Sequence, residues 1–195
     1  MSKMGVSGYT PTTPGNIPLS AGTIHKNFKW NTDKQEWEGP IIGATSGGNS
    51  VEIKGEIFNI EIDGVKVKVK GLALMNGGTG IMEVNFAEVT EEILAKSMIA
   101  EAGESDAPGY TMLQPKSTIE EGDFIENFAF VGKTAKGNKS IIVIFENALC
   151  TSGFKLEGKT KENSVIKLTM ETYADDDGDL ETIPVRIYYP EQAAE

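Results

Sequence analysis

Few residues in this chain carry side chains that could act as nucleophiles, general bases or metal ligands. His25 is the only histidine, and it lies beside Lys26 with no Gly-x-Ser-x-Gly pattern to supply a nucleophile. The single cysteine, Cys150, cannot form an internal disulfide and follows two apolar residues, which is typical of a small buried residue. A zinc site would need carboxylates for most of its ligands, which is uncommon. The sequence therefore predicts no enzyme, and no catalytic, cofactor or metal site.

Two short motifs are similar to ligand-binding loops. Gly132-Lys133-Thr134 matches the end of a phosphate-binding loop, but Asn127 stands where that motif needs its first glycine. The acidic run from Asp175 to Asp179 is similar to a calcium loop. Placing its glycine at the sixth loop position puts Tyr173 first and Pro184 twelfth, where carboxylates belong. We interpret both motifs as surface turns, with a looser calcium or magnesium site on the second as an open alternative.

The charge of the chain is negative and unevenly distributed. The formal net charge is −11, from 18 basic and 29 acidic residues. Residues 88–106, 120–126 and 171–181 carry net charges of −5, −4 and −6, so the remainder carries +4. This distribution argues against a protein that grips a nucleic-acid backbone, which requires lysine and arginine to displace counterions. The acidic stretches form either a solubilising surface or a wall that repels DNA, so that DNA slides past it.

The strongest local pattern lies around Asp63-Gly64, where apolar and polar residues alternate on both sides of the pair. An Asp-Gly pair between alternating segments predicts a tight β-hairpin, because its turn needs positive φ. Glu61 would face Lys66 across the two strands, which is a favourable charge pair. On the other face, the predicted register places three apolar pairs opposite each other: Ile62 and Val65, Ile60 and Val67, and Phe58 and Val69.

The remaining pattern predicts a mainly β protein of antiparallel sandwich or barrel type, with one helix. Residues 1–18 are rich in proline and glycine, which predicts a flexible, extended N-terminal arm before a single domain over residues 19–195. Thr90 is a suitable N-cap for a helix over about 90–102, which Gly103 would end, with Leu94, Met98 and Ala102 on one face.

Strands and turns account for the rest of the chain. Residues 28–37 predict a short hairpin that carries both tryptophans, and residues 76–78 predict a turn before a strand whose Met82, Val84 and Phe86 share a face. Residues 103–122 predict an acidic loop. Later strands are predicted at Phe124–Val131, Ile141–Phe145, Phe154–Glu157, Val165–Tyr173 and Ile183–Tyr189.

An ordered set of motifs in the first hundred residues resembles the tail tube (major tail) proteins of long-tailed bacteriophages. The resemblance is close over roughly residues 19–100 and weaker afterwards. The motifs, in order, are Ala-Gly-Thr-Ile at 21–24, Asn-Phe at 27–28, Gly-Ala-Thr-x-Gly-Gly at 43–48, Glu-x-Asp-Gly-Val at 61–65, Lys-Gly at 70–71 and Thr-x-Glu-x-Leu at 90–94.

The resemblance implies a structural subunit that self-assembles into stacked hexameric rings and forms a hollow tube for DNA during ejection. The implied partners are further copies of the chain, the tape measure protein, the terminator and the distal tail protein. DNA would pass without specific binding, no membrane would be involved, and the protein would be made in the host bacterial cytoplasm and reside in the virion. Contractile tails, tail-like bacteriocins and type VI secretion tubes share the design, and the hairpin pattern favours the non-contractile group.

Residues 1–20 and the hairpin are the expected assembly elements. Edge strands and flexible arms become contact surfaces when identical copies meet. The expected self-assembly residues are Phe58, Ile60, Ile62, Asp63, Gly64, Val65, Val67 and Val69.

The alternative is a monomeric β-sandwich binding module of carbohydrate or adhesion type, in a calcium-dependent or a calcium-independent form. Its stacking residues would be Trp30, Trp37, Tyr188 and Tyr189, with Asp175–Asp179 as the metal loop.

Overall fold

The computed structural model describes residues 13, 17, 20–134, 140–156 and 164–191. The predicted N-terminal arm therefore lies outside the described residues, apart from Thr13 and Ile17. Over these residues the fold is mainly β with antiparallel sheets and one α-helix, as the sequence predicts. In chain order the elements are β1 (Thr23–His25), β2 (Lys29–Asn31), β3 (Glu36–Glu38), β4 (Ser50–Asn59), β5 (Ala73–Phe86), α1 (Glu91–Met98), β6 (Ala100–Gly103), β7 (Met112–Pro115), β8 (Ile125–Lys133), β9 (Ser140–Cys150), β10 (Ile166–Tyr173) and β11 (Val185–Tyr188).

One large antiparallel sheet organises the molecule. Its strand order is β1-β8-β9-β10-β5-β4, and β11 pairs with β9 beside that path. Strand β9 lies at the centre because β8 pairs along one of its edges, while β11 and β10 share the other. The described strands do not close into a barrel. Two-stranded sheets formed by β2 with β3 and by β6 with β7 complete the fold.

The main core lies on one face of this sheet. Met82, Val84 and Phe86 of β5 are buried there together, as their spacing predicts, and they share the cluster with Phe145 of β9. Ile93 of α1 is buried in the same cluster, so the helix covers one side of the sheet. Side chains two apart in a strand lie on the same face, which explains the alternating burial along β5.

Strand β9 is buried on both of its faces. Ile142 and Ile144 belong to a second core cluster with Phe28, against which Trp37 packs. As predicted, a short hairpin, β2 and β3, carries both tryptophans. It pairs Trp30 with Trp37 and lies over this second face. A continuous apolar run such as 141–145 is typical of a strand covered on both sides.

The helix is confirmed but ends earlier than predicted. Thr90 is its N-cap, and its hydroxyl oxygen accepts a hydrogen bond of 3.2 Å from the backbone N–H of Ile93. The helix ends at Met98 because Ile99 adopts the left-handed conformation at φ 51° and donates its N–H to the carbonyl of Ala95. The next residues, including Ala102, form β6 and pair with β7. The predictions of a helix to 102 and an irregular loop over 103–122 are therefore wrong.

Two further predictions fail locally. Residues 76–78 do not separate two strands, because they lie inside β5, where Gly78 pairs with Gly55 of β4. Residues 154–156 form no strand, and Glu157 lies outside the described residues. The other predicted late strands correspond to β8, β9, β10 and β11.

Candidate assembly surface

The end of the β4–β5 pair extends beyond the rest of the sheet and is here called the projecting hairpin, residues 56–77. Strand β10 pairs with β5 only at Ile81–Phe86, so the preceding part of β5 has β4 as its only strand partner among the described residues. Ile57 pairs with Met75 and Phe58 pairs with Leu74 in this region. Within residues 56–77 nearly every side chain is exposed, and none is buried.

The tip of the projecting hairpin contains the predicted turn in a different form. The N–H of Val65 donates to the carbonyl of Ile62 at 3.1 Å, and Gly64 has φ 87°. Asp63 keeps a negative φ, whereas the turn that continues a twisted hairpin ladder needs positive φ at both central residues. The strands therefore do not continue to the turn, and residues 60–69 lie outside the ladder.

The predicted register of the hairpin is wrong beyond that turn. Phe58 lies opposite Leu74 rather than Val69, and the N–H of Ile60 donates to the carbonyl of Leu72 at 2.9 Å rather than pairing near Val67. No ion pair joins Glu61 to Lys66, two residues that the structure describes. The register is set instead by the pairing of β4 with β5 from the body of the sheet.

The structure brings the eight expected assembly residues together on this one exposed element. Val67 is 75% exposed, and none of the eight is buried. Sequence reasoning missed Ile57, Leu74 and Met75, which are also exposed, with 68% exposure at Ile57 and at Met75. The turn predicted at residues 76–78 separated Leu74 and Met75 from the predicted hairpin.

Glycines at the base of the projecting hairpin permit close backbone approach. Gly55 lies opposite Gly78, and the register shifts between Gly55 and Ile57, which is a β-bulge. A Cβ at Gly78 would lie 2.5 Å from the side chain of Ile183 and 2.5 Å from the carbonyl of Lys54. Any larger residue at Gly78 would therefore displace the neighbouring strand or loop.

A second feature is an open cleft of about 1040 Å³ between α1 and the loops around 119–126 and 173–177, here called the acidic cleft. The three acidic stretches of the sequence, far apart in the chain, meet along its lining. Two lysines, Lys26 and Lys96, also line it. Its seven acidic lining residues are Glu92, Glu120, Glu121, Glu126, Asp175, Asp176 and Asp177.

One wall of the acidic cleft is fixed by a buried aspartate. Asp123 accepts hydrogen bonds at 2.8 Å from the backbone N–H of Glu120 and at 2.8 Å from the ammonium group of Lys116. Burial alone would raise the pKa of Asp123, but these donors outweigh it and hold the pKa below its usual value. Lys116 also bonds Glu120 at 2.9 Å, so its pKa is raised by both carboxylates.

The two lysines of the acidic cleft already have partners. Lys96 donates to the backbone carbonyls of Gly122 and Phe124, and Lys26 forms an ion pair with Glu92. Burial lowers the pKa of Lys96, although Asp123 and Glu92 act in the opposite direction. The aromatic rings of Phe124 and Tyr173 contact each other edge to face, with centroids 5.5 Å apart, and both residues line the cleft.

An aromatic cluster lies on the opposite side of the sheet, over β9. Trp37 stacks on Phe28 at 5.6 Å and contacts Trp30 at 5.6 Å and Tyr188 at 4.5 Å in edge-to-face geometry. Trp30 is exposed, whereas Trp37 is half-buried. Three of the four stacking residues expected for a binding module are thus brought together, and the fourth, Tyr189, is exposed and follows Tyr188 in the sequence.

The side chains that could act in catalysis or bind a metal ion make contacts within the fold. One ring nitrogen of His25 bonds the carbonyl of Gly39 at 2.8 Å and the other bonds the hydroxyl of Thr23 at 2.9 Å. Cys150 is buried in the main core. Asp175 accepts a 2.7 Å hydrogen bond from the side chain of Asn147. Among the residues that the structure describes, no three His, Cys, Asp or Glu side chains are grouped to hold a metal ion.

Comparison with known proteins does not identify a family for this chain. No family model matches it, and no curated protein matches its sequence. Over the described ranges, no helix has the length and apolar character that crossing a membrane would require. The projecting hairpin, the acidic cleft and the aromatic cluster are the surface features that bear on function.

Proposed function

We propose that this protein is a structural subunit that self-assembles into stacked hexameric rings, forming the hollow tube of a bacteriophage tail. The observation that carries the proposal is the projecting hairpin, a two-stranded extension whose apolar side chains have no covering element in the described part of the chain. Contiguous exposed apolar surface of this kind marks an interaction site, because burying it on association is favourable. The kind of assembly, a tube of stacked hexameric rings, is the one that the resemblance to tail tube proteins implies.

The outer edge of β4 gives a second reason to expect association between copies. Among the described residues β4 pairs only with β5, so its other edge presents backbone N–H and C=O groups without strand partners. Such an edge is a template for strand pairing, and a monomeric protein usually protects it. In a ring of identical subunits the same edge becomes a contact surface.

The formal net charge of −11 is compatible with a DNA conduit. Surfaces with an excess of carboxylates repel phosphate groups, so DNA passes them without specific binding. The tape measure protein, the terminator and the distal tail protein are the partners that a tail tube subunit meets. Location in the virion belongs to the same proposal, and no catalytic role is assigned.

Sedimentation velocity over a concentration series tests the proposal. The subunit has a mass of 21.0 kDa, and the expected result is a discrete six-subunit species with larger multiples at higher concentration. A single 21.0 kDa species at every concentration would count against self-assembly through the projecting hairpin.

The aromatic cluster favours a second candidate function, a monomeric binding module for carbohydrate. Exposed tryptophan and tyrosine rings stack on the apolar face of a sugar ring, and their N–H or O–H group can form a hydrogen bond beside it. The test is a titration with oligosaccharides monitored by tryptophan fluorescence, beside thermal unfolding with and without calcium. This function is favoured over assembly if oligosaccharide quenches the tryptophan fluorescence saturably and Trp30→Ala removes the quenching. The protein would also have to be a monomer that calcium stabilises.

A further inference from the structure

The segment of the projecting hairpin that follows its turn carries an unbalanced positive charge. From Gly64 to Leu72 the sequence alternates valine with lysine and contains no acidic residue. Lys66, Lys68 and Lys70 are exposed, and none forms an ion pair with another described residue. Residues 65–69 lie outside the β-ladder and Lys70 begins a 3₁₀ turn. The three lysines therefore concentrate three positive charges within five residues of one exposed segment. We call residues 65–70 the lysine segment.

The acidic cleft carries the complementary charge. Its seven acidic lining residues exceed its two lysines by five, and both lysines already have partners within the fold. The cleft also exposes apolar surface at Ile119 and Tyr173. An occupant that fits this surface combines several positive charges with apolar stems, which is the character of lysine side chains. No residue of the projecting hairpin lines the cleft of its own chain.

We propose that the lysine segment of one subunit docks in the acidic cleft of a neighbouring copy of this chain. This inference rests on the proposed function and names the contact through which assembly proceeds. The ammonium groups of Lys66, Lys68 and Lys70 pair with carboxylates at the rim, while their stems cover Ile119 and Tyr173. The cleft supplies acids from three separate segments, so docking also holds those segments together.

The contact joins two different surfaces, so every subunit offers one hairpin and one cleft. Such a heterologous interface closes into a ring when the rotation between subunits closes, and it extends into a filament when it does not. Individual exposed ion pairs stabilise little, but complementary charged surfaces fix orientation and accelerate encounter. Assembly through this contact therefore weakens as salt concentration rises.

Charge reversal on each side tests the docking. The hairpin variant is Lys66→Glu with Lys68→Glu and Lys70→Glu. The cleft variant is Glu121→Lys with Asp176→Lys and Asp177→Lys, all three of which are exposed. The control variant, Lys29→Glu with Lys133→Glu, alters exposed lysines elsewhere. Circular dichroism establishes that each variant folds, and sedimentation velocity measures the concentration at which it assembles.

Each charge-reversed variant alone is expected to need at least about tenfold higher concentration to assemble, with the control unchanged. An equimolar mixture of the two is expected to recover assembly, because each hairpin then meets a cleft of opposite charge. Normal assembly by the hairpin variant, or no recovery in the mixture, would overturn the docking while the proposed function stands. If the unaltered protein does not assemble at all, both are overturned.

Discussion

Asp123 shows how one buried side chain organises a surface made of loops. It is 8% exposed, and its carboxylate joins the backbone of Glu120 to the ammonium group of Lys116. Lys96 donates to the carbonyl of Gly122 in the same turn. These contacts hold the 3₁₀ turn at Glu121–Asp123 against the helix and so define the wall of the acidic cleft.

Asp123→Asn should lower the free energy of unfolding at neutral pH by about 1 kcal/mol, because the charged hydrogen bond to Lys116 is lost. The pKa of Asp123 is lower in the folded than in the unfolded chain. Its contribution is therefore present above the unfolded pKa and is lost as pH falls through the folded pKa. Urea unfolding at neutral and acid pH measures this.

The matched control is Asp106→Asn, which neutralises an exposed aspartate on another loop. It should leave the free energy of unfolding nearly unchanged at both pH values. A loss from Asp123→Asn that stays constant as the pH is lowered would show that the charge of Asp123 does not stabilise the turn.

Single residues of the candidate surface were partly predictable. The alternation around Gly64 is local, so it identified Val65, Val67 and Val69 as members of one exposed element. Ile57 and Met75 were missed because their pairing depends on how β4 meets β5, not on neighbours in sequence. The role of Asp123 could not be predicted either. An acidic residue in an acidic stretch is expected to be exposed, and the sequence does not show its pairing with Lys116.

At the scale of elements, the limits of prediction follow from competition between local and long-range contacts. The Asp-Gly pair predicted a turn, and Gly64 makes one, but the strand register follows the sheet and its bulge at Gly55. The helix began where its cap predicted. It ended early because residues 100–103 pair with β7. That pairing depends on residues distant in sequence, so the helix pattern does not predict it.

Thr90→Ala should destabilise the protein by about 1 kcal/mol, because the N–H of Ile93 loses its capping acceptor. Thr90→Ser keeps a hydroxyl in place and should be nearly neutral. Thermal unfolding of both variants measures the difference. Equal melting temperatures for the two variants would mean that the cap does not hold the start of α1.

The projecting hairpin yields the most direct prediction about an element. Replacing Val65, Val67 and Val69 with serine should leave the stability of the single subunit within about 0.5 kcal/mol, because all three valines are exposed. In an assembly, burying each valine contributes about 1.5 kcal/mol or more. The variant should therefore need more than about a hundredfold higher concentration to assemble, measured by sedimentation velocity.

Leu180→Ser is the control for that experiment, since Leu180 is 73% exposed but lies outside the projecting hairpin. It removes an apolar side chain from the surface in the same way and should not alter assembly. If both variants assemble as the unaltered protein does, the valines of the hairpin are not a contact surface.

At the scale of the whole molecule, the topology of the fold forms the acidic cleft and leaves the projecting hairpin exposed. The sequence shows three acidic stretches and a mainly β pattern, and the fold is mainly β as predicted. The meeting of those stretches in one cleft could not be predicted, because it depends on how α1 and two distant loops pack against the sheet. The same topology leaves a hairpin that combines apolar and basic residues exposed beyond the sheet.

The measurement that tests self-assembly most directly is negative-stain electron microscopy of the purified protein over a concentration series, beside the triple valine-to-serine variant. Rings and hollow tubes of uniform width are expected for the unaltered protein, and dispersed single particles for the variant. Single particles of the unaltered protein at every concentration, or tubes that form equally well without the three valines, would contradict assembly through the projecting hairpin.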